Sequence, residues 1–228
     1  MEISKAKISR YSLLRHKKYR DREGLFMVQG SKAVSDTMPF FSLEALIENK
    51  DDIRKVSTLE NLPEVVAIYR IPVRRDNLSV EPSAFSIVLD GVQDPGNLGT
   101  IIRTAHWFGV RDIFCSPDCV DLYNPKVVQA TMGSLGRLSV TYCDLQKLLA
   151  ANPGVPLYGL LLSGENIFTA GSLAPGFLLF GSEGHGPSPE VSARITTGLT
   201  IPPRDAENHP ESLNVGIAAA ITLSQLIK

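Results

Sequence analysis

Three separated stretches carry side chains whose types and spacing could hold a ligand and act on it. In DGVQDPGNLGTIIRTAHWFGV, residues 90–110, Pro95-Gly96 turns the chain and Asn97 is placed to cap a helix whose apolar stripe is Ile101, Ile102, Ala105, Phe108 and Gly109. At roughly 100° per residue Arg103 points away from that stripe, presenting a guanidinium that is always charged. In FLLFGSEGHGPSPE, residues 177–190, an apolar run suited to a buried parallel strand ends in Gly181, Ser182, Glu183, Gly184, His185 and Gly186. In IPPRDAENHPESLNVGIAAAITLSQLIK, residues 201–228, an extended segment braced by Pro202 and Pro203 leads through a polar loop to a helix of small apolar residues. Ser212 is placed as its N-cap, with Leu213 and Asn214 at the junction. Such a junction gathers free backbone N–H groups, a hydroxyl and a carboxamide around one point.

Each residue also has an ordinary structural use. Asn97 is of a type that commonly caps helices, the glycines serve turns, Ile201 and Leu213 suit a core, and an Arg opposite an apolar stripe is usually solvated. Glu183, Ser212 and Asn214 could close a loop. A dinucleotide site, and with it a nucleotide-dependent oxidoreductase, is a weak alternative. Gly181-x-x-Gly184-x-Gly186 has the wrong internal order for the dinucleotide fingerprint and no helix follows it immediately.

The elements that would position these residues form a strand–helix alternation. Strands are expected at 86–92, 112–115, 138–142, 157–162 and 177–180, with helices from Asn97, from Asn124-Pro125 and after Asp144. That pattern builds a parallel sheet with helices on both faces, and loops at the carboxyl ends of its strands are where such sheets bind ligands. Upstream, a helix over residues 4–20 ends at Gly24. Short segments at 25–28, 43–47, 53–57 and 65–69 then suit a small α/β/α domain. The reading gives a front domain at 1–76, a linker at 77–84 in the polar stretch VRRDNLSVEPS, and a second domain at 85–228.

With 43% hydrophobic and 21% charged residues, the composition is that of an ordinary globular protein. No apolar run reaches membrane-spanning length and MEISKAKISR lacks a signal-peptide core, so a cytoplasmic protein is expected. Cys115, Cys119 and Cys143 are an odd set without finger-like partners, read as reduced thiols with no metal. Net charge is −1, yet residues 1–32 alone carry nine basic against three acidic side chains, +6. Lys5, Lys7, Arg10, Arg15, Lys17, Lys18, Arg20 and Lys32 are therefore candidate phosphate contacts, the other reading being a solvated amphipathic helix.

Taken in order, PGNLGTIIRTAHWFGV, LLFGSEGHGPS and IPP…ESLNVGIAAAI resemble the three signature motifs of the SpoU/TrmH family (SPOUT superfamily) of RNA ribose 2′-O-methyltransferases. The resemblance covers residues 85 to the C-terminus closely, and KYRDREGLFMVQGSKAV resembles the family's small substrate-binding domain less specifically. It implies a C-terminal trefoil knot, S-adenosyl-L-methionine as methyl donor, RNA (rRNA or tRNA) as substrate, and a homodimer through the knotted domain. It further implies that Gly181, Ile201 and Leu213, with Ser182, Gly186, Pro202 and Asn214, hold the cofactor. Arg103, Asn97, Glu183, Ser212 and Asn214 become the catalytic candidates. The resemblance suggests that Arg103 helps deprotonate the ribose 2′-hydroxyl with an RNA phosphate as accomplice; because a guanidinium is a poor base, stabilising the developing alkoxide and fixing the phosphate is the favoured role, with the proton's destination left open. Asn97 would orient the Arg103 side of the site or the substrate ribose, Glu183 would pair with Arg103 or hold its loop, and Ser212 and Asn214 would bridge loop and substrate. His106 and Trp107 read as packing residues and His209 as solvent-facing. Asn214-Val215-Gly216 departs from the family's usual Asn-Val-Ser, a change of helix packing or capping. A non-catalytic RNA-binding protein on the same fold is the remaining alternative.

Overall fold

The computed structural model describes residues 3–73 and 78–227, so the expected junction at 76–77 lies outside the described residues. The chain divides into two compact units, Met1–Arg74 with Asp121–Arg137, and Arg75–Val120 with Leu138–Lys228. The strand–helix alternation places 121–137 in the second domain; the structure joins it to the first.

In the first unit the helix expected over 4–20 is broken. α1 (Lys5–Ser12) gives way to a 3-10 turn, and extended backbone at His16 precedes α2 (Lys17–Glu23), which stops at Gly24 in the left-handed conformation. β1 (Leu25–Gln29), α3 (Ser31–Thr37), β2 (Leu43–Ile47), α4 (Lys50–Val56) and β3 (Val66–Arg70) follow. The strands form an antiparallel sheet ordered β1-β3-β2. One core gathers Ile8, Tyr11 and Leu14 from the helical front with Ile53 and Val56 of α4. On β1 the residues of both faces are buried, and Phe26 meets Tyr123 of the returning segment with ring centroids 4.5 Å apart.

In the second unit β4 (Ser86–Asp90) leads to α5 (Pro95–Trp107) and β5 (Asp112–Cys115). After α6 (Pro125–Ala130), which belongs to the first unit, come β6 (Ser139–Tyr142), α7 (Leu145–Ala151), β7 (Leu157–Asn166), β8 (Phe177–Gly181), α8 (Pro189–Ser192), β9 (Thr197–Thr200) and α9 (Val215–Leu226). The six strands are parallel, ordered β6-β5-β4-β8-β7-β9. Val88, Phe114, Phe177 and Leu179 pack with Leu145, Leu148 and Leu149 of α7; by alternation their neighbours Ile87, Leu178 and Phe180 turn to the opposite face. α5 and α9 pack on each other, with Ile101, Ile102, Ala105, Ala219 and Leu223 fully buried. The central pair β4 and β8 carries the site: Asp90 and Gly181 lie side by side at the carboxyl ends of the two strands.

Candidate active site at the carboxyl ends of the central strands

The turn leaving β8 is shaped by its backbone. A Cβ on Gly181 would fall 2.2 Å from the Gly186 carbonyl carbon and from the Pro187 nitrogen, so only glycine fits there. Ser182 and Gly186 exchange backbone hydrogen bonds of 3.1 and 2.9 Å, which close the neck of the loop, and Gly186 supplies the positive φ (69°) the closure needs. Asp90 fastens the far end: its Oδ2 accepts from the backbone N and the hydroxyl of Ser188, both at 2.7 Å.

This rigid loop projects Glu183 toward two helix starts. Its Oε1 accepts from Asn97 Nδ2 at 2.7 Å, Asn214 Nδ2 at 3.0 Å and Val215 N at 3.4 Å. Asn214 Nδ2 also donates to Asn97 Oδ1 at 2.8 Å. One residue from each motif thus meets in a single network, although 86 and 31 positions separate Glu183 from its two asparagine partners. Hydrogen bonds to an ionised carboxylate are stronger than neutral ones, so the network fixes the loop against α5 and α9.

Two capping expectations are corrected here. Asp94, not Asn97, caps α5: its Oδ1 accepts from Asn97 N at 2.8 Å, with Pro95 in the first turn. Pro is favoured at the first helical position, which moves the helix start upstream and leaves the Asn97 carboxamide free for Glu183. Asn214, not Ser212, caps α9, accepting from Gly216 N and Ile217 N at 3.0 and 3.2 Å. Asn214 therefore holds both the helix and the network.

Beside the network lies a cavity of about 930 Å³. Gly181, Ser182, Gly186, Ile201, Pro202, Ser212 and Leu213 line it, whereas Asn214 stands in the adjoining network. Leu160, Leu161 and Leu162 of β7 form an apolar wall that motif reading does not single out; its only signal is the apolar run LYGLLL. No Lys or Arg lines this cavity among the described residues, while Glu183 and Glu211 do. A phosphate-bearing dinucleotide would find no cation there. The loop is followed by the four-residue α8, beginning only at Pro189, which removes the other half of the dinucleotide fingerprint. His209, expected to face solvent, is exposed and borders this cavity.

A smaller cavity of about 280 Å³ adjoins the first, sharing Ser182, Glu183, Gly184, His185 and Val215 with it and adding Gln93, Asp94 and Asn97. Next to its Gly91-Val92 edge, Cys119 Sγ accepts from Val92 N at 3.3 Å. The neighbouring Cys115 thiol, donating to Cys119, is the main cause that brings the Cys119 pKa down to about 7, while Cys115 itself is pushed well up. The cysteines are free thiols, and no metal-ligating cluster exists among the described residues.

Arg103 does not join the network. It borders neither cavity, and among the described residues it makes no hydrogen bond or ion pair. Six residues separate it from Asn97, roughly 9 Å along the helix axis and on another side of the helix. Glu183 therefore pairs with asparagines, not with Arg103. Trp107, four residues after Arg103 and on the same helix face, is 85% exposed and is no packing residue within the chain; His106 is also exposed.

The basic front residues divide by use. Arg20 is 2% exposed: its guanidinium donates to Asp121 at 2.6 and 3.0 Å and to the carbonyls of Leu14 and Arg15, so burial removes it from the RNA-contact candidates. Arg10 is paired with Glu23, Lys17 with Asp21 and Lys32 with Asp36, while Arg15 donates to the Ser12 and Lys55 carbonyls. Lys5, Lys7 and Lys18 stay exposed without a carboxylate partner among the described residues. No described helix is long and apolar enough to cross a membrane.

Comparison with known proteins agrees with this geometry. Residues 84–224 match the SpoU rRNA Methylase family. The 23S rRNA (guanosine(2553)-2′-O)-methyltransferase RlmP of Bacillus subtilis is 25% identical over 243 residues, covering 96% of this chain and 95% of its own. An uncharacterised tRNA/rRNA methyltransferase of Synechocystis is 37% identical over 143 residues, covering 60% of this chain; the chain spans half of that relative's length. Among solved structures, a TrmH-family protein from Porphyromonas gingivalis superposes with a TM-score of 0.87 at 35% identity, covering 99% and 98% of the two chains. The AdoMet-bound rRNA methyltransferase of Sinorhizobium meliloti gives 0.86 at 26%, covering 99% and 95%. The chain belongs to the SpoU rRNA methylase family.

Proposed function

We propose that the protein methylates a ribose 2′-hydroxyl in RNA, ribosomal or transfer, with S-adenosylmethionine bound in the larger cavity. The observation that carries this reading is the absence of Lys and Arg, among the described residues, from a cavity edged by Glu183 and Glu211 and walled by Leu160–Leu162. Those walls suit an adenosine that bears a cationic sulfonium and an ammonium and has no phosphate. When bound, the cofactor supplies an electrophilic methyl group. Gly181, Ser182, Gly186, Ile201, Pro202 and Leu213 would hold it, through main-chain groups of two tight segments. The Asn97–Glu183–Asn214 network keeps the loop in place, and Ser212 brings a hydroxyl to the rim.

Arg103 belongs to this reading through a second chain. It shares a helix face with the exposed Trp107, and Ile217 of the adjoining α9 is 50% exposed; a homodimer through the 85–228 domain would cover that face. There the guanidinium could hold an RNA phosphate bidentately and stabilise the alkoxide. Two further parts of the reading are the trefoil knot, supported by β8 lying between β4 and β7 with β9 outermost, and a cytoplasmic location. The name of the Bacillus subtilis relative directs the first search to 23S rRNA. The test is transcriptome-wide mapping of 2′-O-methyl sites in cells with and without the gene. One or a few ribosomal or transfer RNA riboses should lose the mark; an unchanged map would refute the proposal.

A further inference from the structure

We propose that Cys119 and Cys115 close into a reversible disulfide when the protein meets a peroxide, with Cys119 oxidised first and Cys115 resolving it. The proposal is independent of the methyl-transfer reading, which uses neither sulfur. Cys115 ends β5 and pairs in register with Leu89 of β4; a turn closed by Cys119 N donating to the Ser116 carbonyl at 3.1 Å folds Cys119 back over that strand end. There the Cys119 thiol donates to the Leu89 carbonyl at 3.4 Å and the Cys115 thiol donates to Cys119, so the two sulfurs are in contact. Cys143, the third free thiol, packs against the core of Phe114 and the α7 leucines, whereas Cys115, the residue after Phe114, turns to the opposite face of the sheet.

The surroundings divide the two roles. Cys119 keeps 7% of its surface exposed and Cys115 none, so a small oxidant reaches Cys119 alone. Around Cys119 Sγ stand Val92 N, a donor at 3.3 Å, and the Ser116 hydroxyl at 3.4 Å. The donating Cys115 thiol, together with those groups, holds the Cys119 pKa at about 7 against the opposing effect of burial. That leaves roughly 15-fold more thiolate at neutral pH than an ordinary cysteine has, and the thiolate is the nucleophile. It attacks one peroxide oxygen; the O–O bond breaks, the other oxygen leaves as hydroxide and takes up the proton Cys119 released, and Cys119 becomes a sulfenic acid. The Cys115 sulfur then attacks the Cys119 sulfur, the S–O bond breaks, and the departing oxygen takes the Cys115 proton and leaves as water. Two thiols have lost two electrons and the peroxide has gained them. Once joined to Cys115, Cys119 has no hydrogen for the Leu89 carbonyl and only a neutral sulfur for Val92 N, so the segment that leads into α5 and Asn97 is loosened at Val92.

The test exposes the purified full chain to hydrogen peroxide, alkylates the remaining thiols after denaturation and digests with trypsin. Cys115 and Cys119 fall on one tryptic peptide, residues 112–126, which does not contain Cys143. The count of alkylated thiols should drop from three to one, and that peptide should be lighter by two hydrogens than its reduced form until dithiothreitol restores it. Amide hydrogen exchange at Val92 should quicken in the oxidised protein. In Cys115→Ser, dimedone should trap a sulfenic acid at Cys119, and in Cys119→Ser peroxide should leave Cys115 a free thiol. Because the wild-type peptide is read directly, the outcome does not hang on either variant folding. Two alkylated cysteines in the 112–126 peptide after peroxide, oxidation to higher acids without a cross-link, or a disulfide to Cys143 would each overturn the pairing. Exchange at Val92 that is the same in both forms would overturn its effect on the segment before α5.

Discussion

Arg20 in the first unit and Arg103 in the second are the same residue type put to opposite uses. Arg20 is buried and satisfied by a carboxylate and two carbonyls; Arg103 is exposed and makes no hydrogen bond or ion pair among the described residues. A buried guanidinium keeps its place only because Asp121 and the backbone replace its water, which makes it part of the scaffold. An exposed, unpartnered one keeps its charge available for something that arrives. The same contrast separates the two units. In the first, most basic side chains of the front segment are tied to neighbouring acids or carbonyls; in the second, polar side chains from distant motifs converge on one carboxylate.

The largest effect that would break the contrast is on Arg20. Asp121→Ala leaves its charge buried and unpaired and should cost about 3–5 kcal/mol of stability in chemical denaturation. A loss below 1 kcal/mol would mean that the pair is not structural. Arg103→Ala should do the reverse, slowing methyl transfer about 10²–10³-fold, the scale for losing a donor to a developing oxyanion, with stability unchanged within about 0.5 kcal/mol. Asn214→Ala removes a helix cap and a network donor together; a stability loss of about 1–2 kcal/mol and weaker cofactor binding in calorimetry are expected. Smallest is Lys5→Ala with Lys7→Ala and Lys18→Ala. If these exposed lysines meet phosphates, the combined variant should lower the slope of log affinity against log salt by roughly 0.7–0.9 per lost contact; an unchanged slope would make them a solvated face.

The parts of the fold that were legible in the sequence were those with a strong local signal. The apolar run at Phe177–Phe180 and the Gly-rich turn after it place β8 and its loop correctly, and Asp144 caps α7 as expected. The cap beside Pro95 was misread, although the one at Asn124-Pro125 was not. With Pro95 at the first turn, the N-cap moves to Asp94, and the Asn97 carboxamide becomes a partner of Glu183. The continuous front helix failed at His16, where apolar spacing at Ile8, Tyr11 and Leu14 persists while the backbone does not. Charge counting along residues 1–32 could not distinguish Arg20 from its neighbours, because its partner Asp121 is 101 residues away. The same distance hid the membership of 121–137 in the first unit. At the site the motif order identified the loop and both asparagines, but not the β7 wall, which looks like any buried strand, nor the separation of Arg103 from the network, which depends on helical phase beyond Asn97.

The most direct test of the central claim, that three distant segments build one site for methyl transfer to ribose, uses purified protein, methyl-labelled S-adenosylmethionine and unmodified ribosomal and transfer RNA. A methylated 2′-oxygen cannot attack the neighbouring phosphodiester, so alkaline hydrolysis should leave the label in alkali-resistant dinucleotides. Label released in mononucleotides would place the methyl group on a base and contradict the account.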